Sequence, residues 1–317
     1  MMTFTTQTMQ EIFLLLQKQF EVNNSISFIA LNPDHFDEYS GFFTEVNGQA
    51  YIHRSYKAWT DLAELFICKI KTPKILNNHL VQINFVKLKT KSFHTDNKDI
   101  EKYGMNSHFS RIQKMEEPAF LYYYLQALQN VKLEQRKRIL NLGVNRGDEF
   151  EVIRNLLDTN KYENIEFVGI DHSKTAIDYA KSHYQETNVT FYMKDINTID
   201  TLKLGQFDLL ISIGTLQSSN INFKPFFMSL VQDYLEKESA IILGFPNSRW
   251  IGGEILYGAK APNYAMSEMS LVFNDLMFAK KYLQQKKFRV TITGKQYLFL
   301  TATKIGGKFN QEIKKNS

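Results

Sequence analysis

The sequence predicts an α/β fold: a doubly wound parallel sheet preceded by a smaller α+β domain. Three observations carry it. First, the stretch KRILNLGVNRGDEFEVIRNLL, Lys137 to Leu157, reads as strand, glycine turn and helix. Ile139, Leu140 and Leu142 form an apolar run, Gly143 and Gly147 mark the turn, and Phe150, Ile153, Leu156 and Leu157 share one helical face. Second, short apolar strands keep alternating with helical patterns downstream, the order expected of a parallel sheet. Third, the strand Ile165 to Ile170 runs into Asp171, 24 positions beyond Gly147. In a nucleotide-binding unit the turn and the helix N-terminus meet the ligand, and an acid at this position takes the ribose hydroxyls.

At 317 residues, 44% hydrophobic and 22% charged, the chain is long enough for one large domain or two smaller ones and needs no staple. Its single cysteine, Cys68, rules out an internal disulfide, which fits a reducing compartment. The N-terminus lacks a basic leader, and no apolar run approaches the roughly 18 residues of a membrane span, so a cytoplasmic location and no membrane partner are expected. The net charge of +5 permits a nucleic-acid partner without demanding one. From residue 251 onward eleven lysines and arginines face four acids, a net +7, read either as a solvated face with a frayed tail or as a phosphate-binding surface.

The first 95 residues read as the accessory α+β domain. An apolar stripe (Ile12, Leu15, Leu16, Phe20) predicts a helix over 7–20, and strands are expected over 26–31 and 81–88. Asn47-Gly48 between two strand-like runs is a hairpin signal. A helix is expected from Tyr56 to Lys71, with Cys68 in its apolar run as a core residue. No repeat, C-x-x-C or H-E-x-x-H spacing is present, so no metal is expected. A polar stretch without periodicity follows, placing a linker or lid over 96–115, and a helix starts near Glu116 with Pro118 in its first turn.

The glycine turn discriminates between nucleotides. A dinucleotide site wants G-x-G-x-x-G, and counting from Gly143 gives Asn145 and Asp148 where glycines belong. The motif Asn141-Leu142-Gly143-Val144-Asn145-Arg146-Gly147 resembles instead the first motif, (D/E)-x-G-x-G-x-G, of the class I S-adenosylmethionine (SAM)-dependent methyltransferases. Asn141 departs from the usual acid and Asn145 from the central glycine, though Asn enters left-handed backbone more readily than most residues. Asp148 suits a ligand that carries cationic groups and no phosphate.

The resemblance spans about residues 116–304 and implies a seven-stranded sheet with a C-terminal antiparallel hairpin, in a domain over 116–305 followed by a basic tail, 306–317. It implies SAM as cofactor, held by Asn141, Gly143, Asn145, Arg146 and Gly147 of the first motif and by Asp171 and His172 after the second strand. Asp195 and Ile196, after the strand Val189 to Met193, would take the adenine, although Asp195 also reads as a loop cap. Ile213 and Gly214 end the fourth strand, with Thr215-Leu216-Gln217 facing the transferred methyl. Phe109, Arg111, Tyr122 and Tyr123 are lid candidates or plain core aromatics. A fifth strand ends at Pro246, and the long stretch after it supplies Arg249, Trp250, Tyr257, Lys260 and Tyr264 as acceptor-pocket residues. A helix to Gln285 and two strands joined at Gly294 close the chain.

The acceptor is open at this stage. SIGTLQ stands where amino-methyltransferases of DNA carry (D/N/S)-P-P-(Y/F), and no cysteine stands there for C5 chemistry. RNA, tRNA in particular, is weighed slightly ahead of a small metabolite, with a non-catalytic SAM-binding module third. An N or O nucleophile is expected. No general base is assigned: His108 and His172 are the histidines nearest the motifs, and in-line methyl transfer chiefly requires alignment.

Overall fold

The computed structural model describes residues 1–89, 104–107, 109–258 and 269–306. His108, Lys260, Tyr264, most of the expected linker and the basic tail beyond residue 306 lie outside the described residues. The chain divides into two units, Met1–Lys91 with Trp250–Leu256, and Ser92–Arg249 with Tyr257–Ser317.

The first unit contains β1 (Met2–Thr3), α1 (Met9–Val22), β2 (Ser25–Leu31), β3 (Phe43–Val46), β4 (Gln49–Ile52), α2 (Tyr56–Leu65), β5 (Cys68–Ile75) and β6 (Leu80–Lys87). Its main sheet has the order β1-β2-β6-β5. Ile12, Leu16 and Phe20 of α1 and Trp59 and Leu62 of α2 bury against Phe28 and Phe85. A Thr8/Glu11 capping box starts α1. Asn47 and Gly48 both take positive φ, 52° and 78°, as a tight hairpin between right-twisted strands requires. The helix expected to reach Lys71 stops at Leu65 instead. Ile67 turns the chain at φ 55°, and Cys68-Lys69-Ile70-Lys71 carries a two-residue alternation that belongs to the edge strand β5. Cys68 is a buried core residue all the same.

The second unit holds α3 (Pro118–Asn130), β7 (Arg138–Leu142), α4 (Asp148–Leu156), α5 (Thr159–Glu163), β8 (Glu166–Asp171), α6 (Lys174–His183), β9 (Val189–Met193), β10 (Phe207–Ile213), α7 (Phe223–Asp233) and β11 (Leu235–Pro246). After these come β12 (Ser248–Ile251) and β13 (Glu254–Tyr257), of which Trp250–Leu256 count with the first unit, and then, in the second, α8 (Ser270–Gln285), β14 (Phe288–Gly294) and β15 (Tyr297–Lys304). The seven-stranded sheet runs β14-β15-β11-β10-β7-β8-β9, parallel throughout the β11-to-β9 half, with β15 antiparallel to both β11 and β14. Its strands are apolar on both faces because helices cover both. Leu140, Leu142, Leu210 and Leu243 bury with Phe227 of α7 and Leu276 of α8, while Ile139, Leu209, Ile211 and Ile242 bury with Tyr124 of α3, Phe150 of α4 and Ile177 of α6.

The chain fills the sheet from β7 outward through β8 to β9, then returns to add β10 and β11 on the other side. That reversal, between β7 and β10, opens a crevice at the carboxyl edge where open α/β sheets bind ligands. At the opposite edge, buried Asp208 accepts the backbone N–H of Lys137 (2.8 Å) and of Arg138 (2.9 Å), fixing the start of β7. The stretch after β11 is not structureless: β12 and β13 pair around Gly252 and Gly253, both at positive φ.

Candidate cofactor site

A cavity of about 500 Å³ lies at the carboxyl edge of the second unit, of a size with small-molecule sites. Its walls begin with the turn after β7. Gly143 is at φ 76°, and a Cβ there would fall 1.8 Å from Thr215 Oγ1, so the turn packs directly on the loop after β10 and only glycine fits. Asn145 takes φ 46°, the left-handed conformation its side chain type tolerates. Gly147, at φ 90°, caps α4 and accepts a hydrogen bond from Tyr184 Oη at 2.6 Å.

Two carboxylates of the second and third strands line the cavity. Asp171, 6% exposed, accepts the backbone N–H of Asn145 on Oδ2 (3.0 Å) and of Ser173 on Oδ1 (2.9 Å). Asp195 accepts from Asn197 N and Nδ2, both on Oδ1, and so caps the following turn while facing the cavity. Arg146 bonds Ser110 O (3.1 Å), Gln113 Oε1 (3.0 Å) and Asp148 Oδ2 (2.9 Å), which ties the segment 109–115 to the glycine turn. From that segment Phe109, Ile112, Lys114 and Met115 line the cavity.

Of the residues expected at the cofactor, Gly143, Asn145, Arg146, Asp171, His172, Asp195, Ile196, Ile213 and Gly214 line this cavity, and Asn141 and Gly147 do not. Asn141 is 1% exposed beneath the turn, its side chain toward the Glu149 carboxyl. Thr215 lines the cavity, whereas Leu216 turns into the core and Gln217 lies outside the lining. Arg111, Tyr122 and Tyr123 are not in the lining either, and Tyr122 is 61% exposed, neither lid nor core. Of the residues expected at the acceptor, Arg249 and Tyr257 stand apart from the cavity lining, and Trp250 falls in the first unit. Arg249 Nε is buried without a partner, as are Asn247 Oδ1, Ser248 Oγ, Thr293 Oγ1 and Gln296 Oε1.

The lining residues with no individual sequence signal include Lys114, Glu149 and Tyr297. Glu149 is 6% exposed in the first turn of α4, where helical periodicity alone gives an acid no address. Burial pushes its carboxyl up to about 7, against the pull of Lys114 and with a push from Asp148. Burial works to lower the Lys114 pKa, but Tyr297, Glu149, Asp148 and Asp171 together hold it above its ordinary value. The Lys114 ammonium lies 5.7 Å from the ring centroids of both Phe109 and Tyr297.

The set of groups fits SAM. Carboxylates converge on one small cavity with apolar walls, which suits a ligand with a cationic sulfonium and ammonium, an adenosine and no phosphate. A family model described as a methyltransferase domain matches residues 133–292, half the chain. The chain belongs to the methyltransferase domain family. Its cofactor is SAM. A comparison with curated proteins finds no match.

Among solved structures, this methyltransferase is similar to the plantazolicin methyltransferase BpumL, crystallised with a pentazolic desmethylPZN analog and SAH, at 14% identity over 60% of this chain and 88% of that one, TM-score 0.41. It is similar to the precorrin-6y C5,15-methyltransferase of Geobacter metallireducens at 11% identity over 58% of this chain and 88% of that one, TM-score 0.40. It is similar also to the methyltransferase domain of bacterial CtHen1, at 14% identity over 59% of this chain and 98% of that one, TM-score 0.42. At such values the acceptors of those proteins say nothing about this one. Among the described residues no helix is long and apolar enough to cross a membrane, and no group of residues could hold a metal.

Proposed function

We propose that this protein transfers the methyl group of SAM to a neutral N or O nucleophile of a small polar acceptor. Bound SAM supplies an electrophilic methyl on a sulfonium. Asp171 accepts from the ribose hydroxyls, Asp195 from the adenine amine with Ile196 beside the ring, and the Gly143–Arg146 turn, His172, Ile213 and Gly214 close the walls. The segment 109–115, latched by Arg146, serves as a lid. With water excluded and the reacting atoms aligned, the protein's contribution is positional, and no general base is assigned. The acceptor enters past Thr215 and Pro246, and the unpartnered polar atoms from Asn247 to Arg249 are its recognition groups, with Tyr257 a further one.

One observation favours a small acceptor over RNA. Of the C-terminal basic residues, Lys286, Lys287, Arg289 and Lys304 gather at the amino edge of the sheet, since β15 runs from Tyr297 at the cavity to Lys304 paired with Phe288 at the far end. The Lys304 ammonium is held below its usual pKa there, by burial and by Lys286 and Lys287. This four-residue cluster is therefore on the edge away from the cavity, whereas Lys295 lies in the β14–β15 turn beside Tyr297. The test is incubation with methyl-labelled SAM and either a metabolite extract or total tRNA. Label in the small-molecule fraction supports the proposal. Label in tRNA, with affinity falling steeply as salt rises, replaces it with the RNA reading. SAH binding with label in neither fraction leaves a non-catalytic module.

A further inference from the structure

The first motif of this chain has lost its acid, yet a carboxyl is present in the same cavity. Asn141 is buried at the end of β7 with its side chain toward the Glu149 carboxyl, and Glu149 sits in the first turn of α4, eight residues later, lining the cavity at 6% exposure. Among the described residues Glu149 makes no ion pair, and a buried carboxyl without a counter-charge is costly unless a cation arrives to meet it. Lys114, from the 109–115 segment, lines the same cavity. It is flanked by Phe109 and Tyr297 rather than by an acid within pairing distance. An acid and a base that share a cavity without bonding each other leave room for a ligand carrying both opposite charges.

The structure assigns Glu149 and Lys114 to the amino-acid end of SAM: the Glu149 carboxylate accepts a hydrogen bond from the α-ammonium, and Lys114 pairs with the α-carboxylate. This rests on the reading of the cavity as the SAM site. The acid of this cavity stands at the start of α4, and an amide stands at 141 at the end of β7. An anion in the first turn of a helix is favourable, so Glu149 suits α4 as well as the ligand. The groups facing Glu149 are Lys114 from the 109–115 segment, Asp148 on its own helix and Asn141 on β7, with Tyr124 of α3 bonded to its carbonyl. Those facing Lys114 include Tyr297 on β15 and Asp171 on β8.

The test is calorimetric binding to the full chain of two ligands, SAH and 5′-methylthioadenosine, which keeps the adenosine and the sulfur but lacks the amino acid. Glu149→Gln and Lys114→Met should each weaken SAH at least tenfold while leaving methylthioadenosine within about twofold, a difference of about 1.4 kcal/mol per tenfold. Methylthioadenosine binding doubles as the check on folding. For the unsubstituted chain, SAH affinity should climb between about pH 6 and pH 8 as Glu149 ionises, and methylthioadenosine affinity should not, since it lacks the amino acid. The climb should vanish in Glu149→Gln. Equal losses of both ligands in the variants, or an SAH affinity that stays flat with pH and with either substitution, overturns the assignment while leaving the cavity as the SAM site. If the unsubstituted chain binds neither ligand, the site reading itself falls and takes the assignment with it. Should a variant fail to fold, the pH profile of the unsubstituted chain decides.

Discussion

The backbone N–H of Asn145 donates to Asp171 Oδ2 at 3.0 Å, joining the turn after β7 to the end of β8. The other oxygen accepts from Ser173 N, so one carboxylate holds both loops that flank the cavity. A carboxylate has about four lone-pair sites, and two bonds leave capacity for a ligand's hydroxyls. Organising the walls and contacting the ligand are thus compatible in one residue.

Asp171→Ala should therefore do two things. Losing a charged acceptor of about 1.5–3 kcal/mol weakens SAH by roughly one to two orders of magnitude. Stripping two backbone N–H groups of their partner also lowers the melting temperature. An unchanged SAH affinity with a lowered melting temperature would reduce Asp171 to a loop clamp.

Asp208 provides the control for that experiment. It too is a buried aspartate accepting two backbone N–H groups, but at the amino edge of the sheet, away from the cavity. Asp208→Ala should destabilise by about 1–3 kcal/mol or more, since each donor left buried and unpaired carries that penalty. SAH affinity at a temperature where the variant is folded should stay within about twofold. A large affinity loss here would mean that both variants act through global loosening.

How far the sequence foretold these features depends on the range of the interaction. The glycine turn, Asp171 and Asp195 were legible because they depend on neighbours within a few residues: Gly143 and Asn145 need positive φ, and strand ends put acids at fixed places. The alternating apolar strands gave the sheet, and Gly294 with the two closing runs gave the hairpin. Lys114, Glu149 and Tyr297 were not legible, because they meet only when the 109–115 segment, α4 and β15 converge, at separations of tens to well over a hundred residues. The error over 66–71 has a local cause: apolar residues at 65, 66, 67 and 70 satisfy a helical period while Cys68 and Ile70 also satisfy a strand period. Lid candidates chosen for aromaticity failed at Tyr122 because neighbouring aromatics on a helix point different ways, with Tyr124 buried and Tyr122 exposed.

Cys68 should be chemically silent in the folded protein. It is 3% exposed, and burial pushes its thiol up to about 11, Lys87 pulling only weakly against it. At pH 8 about one thiol in a thousand is ionised, and the thiolate is the nucleophile. Alkylation by iodoacetamide, followed by mass spectrometry, should be slow in native buffer and rapid in denaturant. Rapid native labelling would show that the core around β5 opens readily.

Glu149 makes stability itself depend on pH in an unusual direction. Its carboxyl, with an ordinary value of 4.5, is raised to about 7 in the folded chain by burial, so between those values the folded state holds a proton that the unfolded state has released. Most carboxylates strengthen a fold as pH rises. This one contributes in full only below about 4.5 and loses its contribution as pH climbs through about 7, up to about 3 kcal/mol at 1.36 kcal/mol per pKa unit. Glu149→Gln keeps the shape and removes the titration. Its melting temperature should exceed that of the unsubstituted protein near pH 8, by several degrees at about 2–4 °C per kcal/mol for a domain of this size, and the gap should close toward pH 5. Subtracting one profile from the other leaves only what the substitution at 149 changes. Saturating SAH should shrink the pH 8 gap, because the ligand's ammonium meets the charge that burial penalises. A substituted protein less stable than the original at pH 8 would mean that Glu149 is already charge-compensated without ligand, and both its elevated carboxyl and its role toward the ammonium would have to be given up.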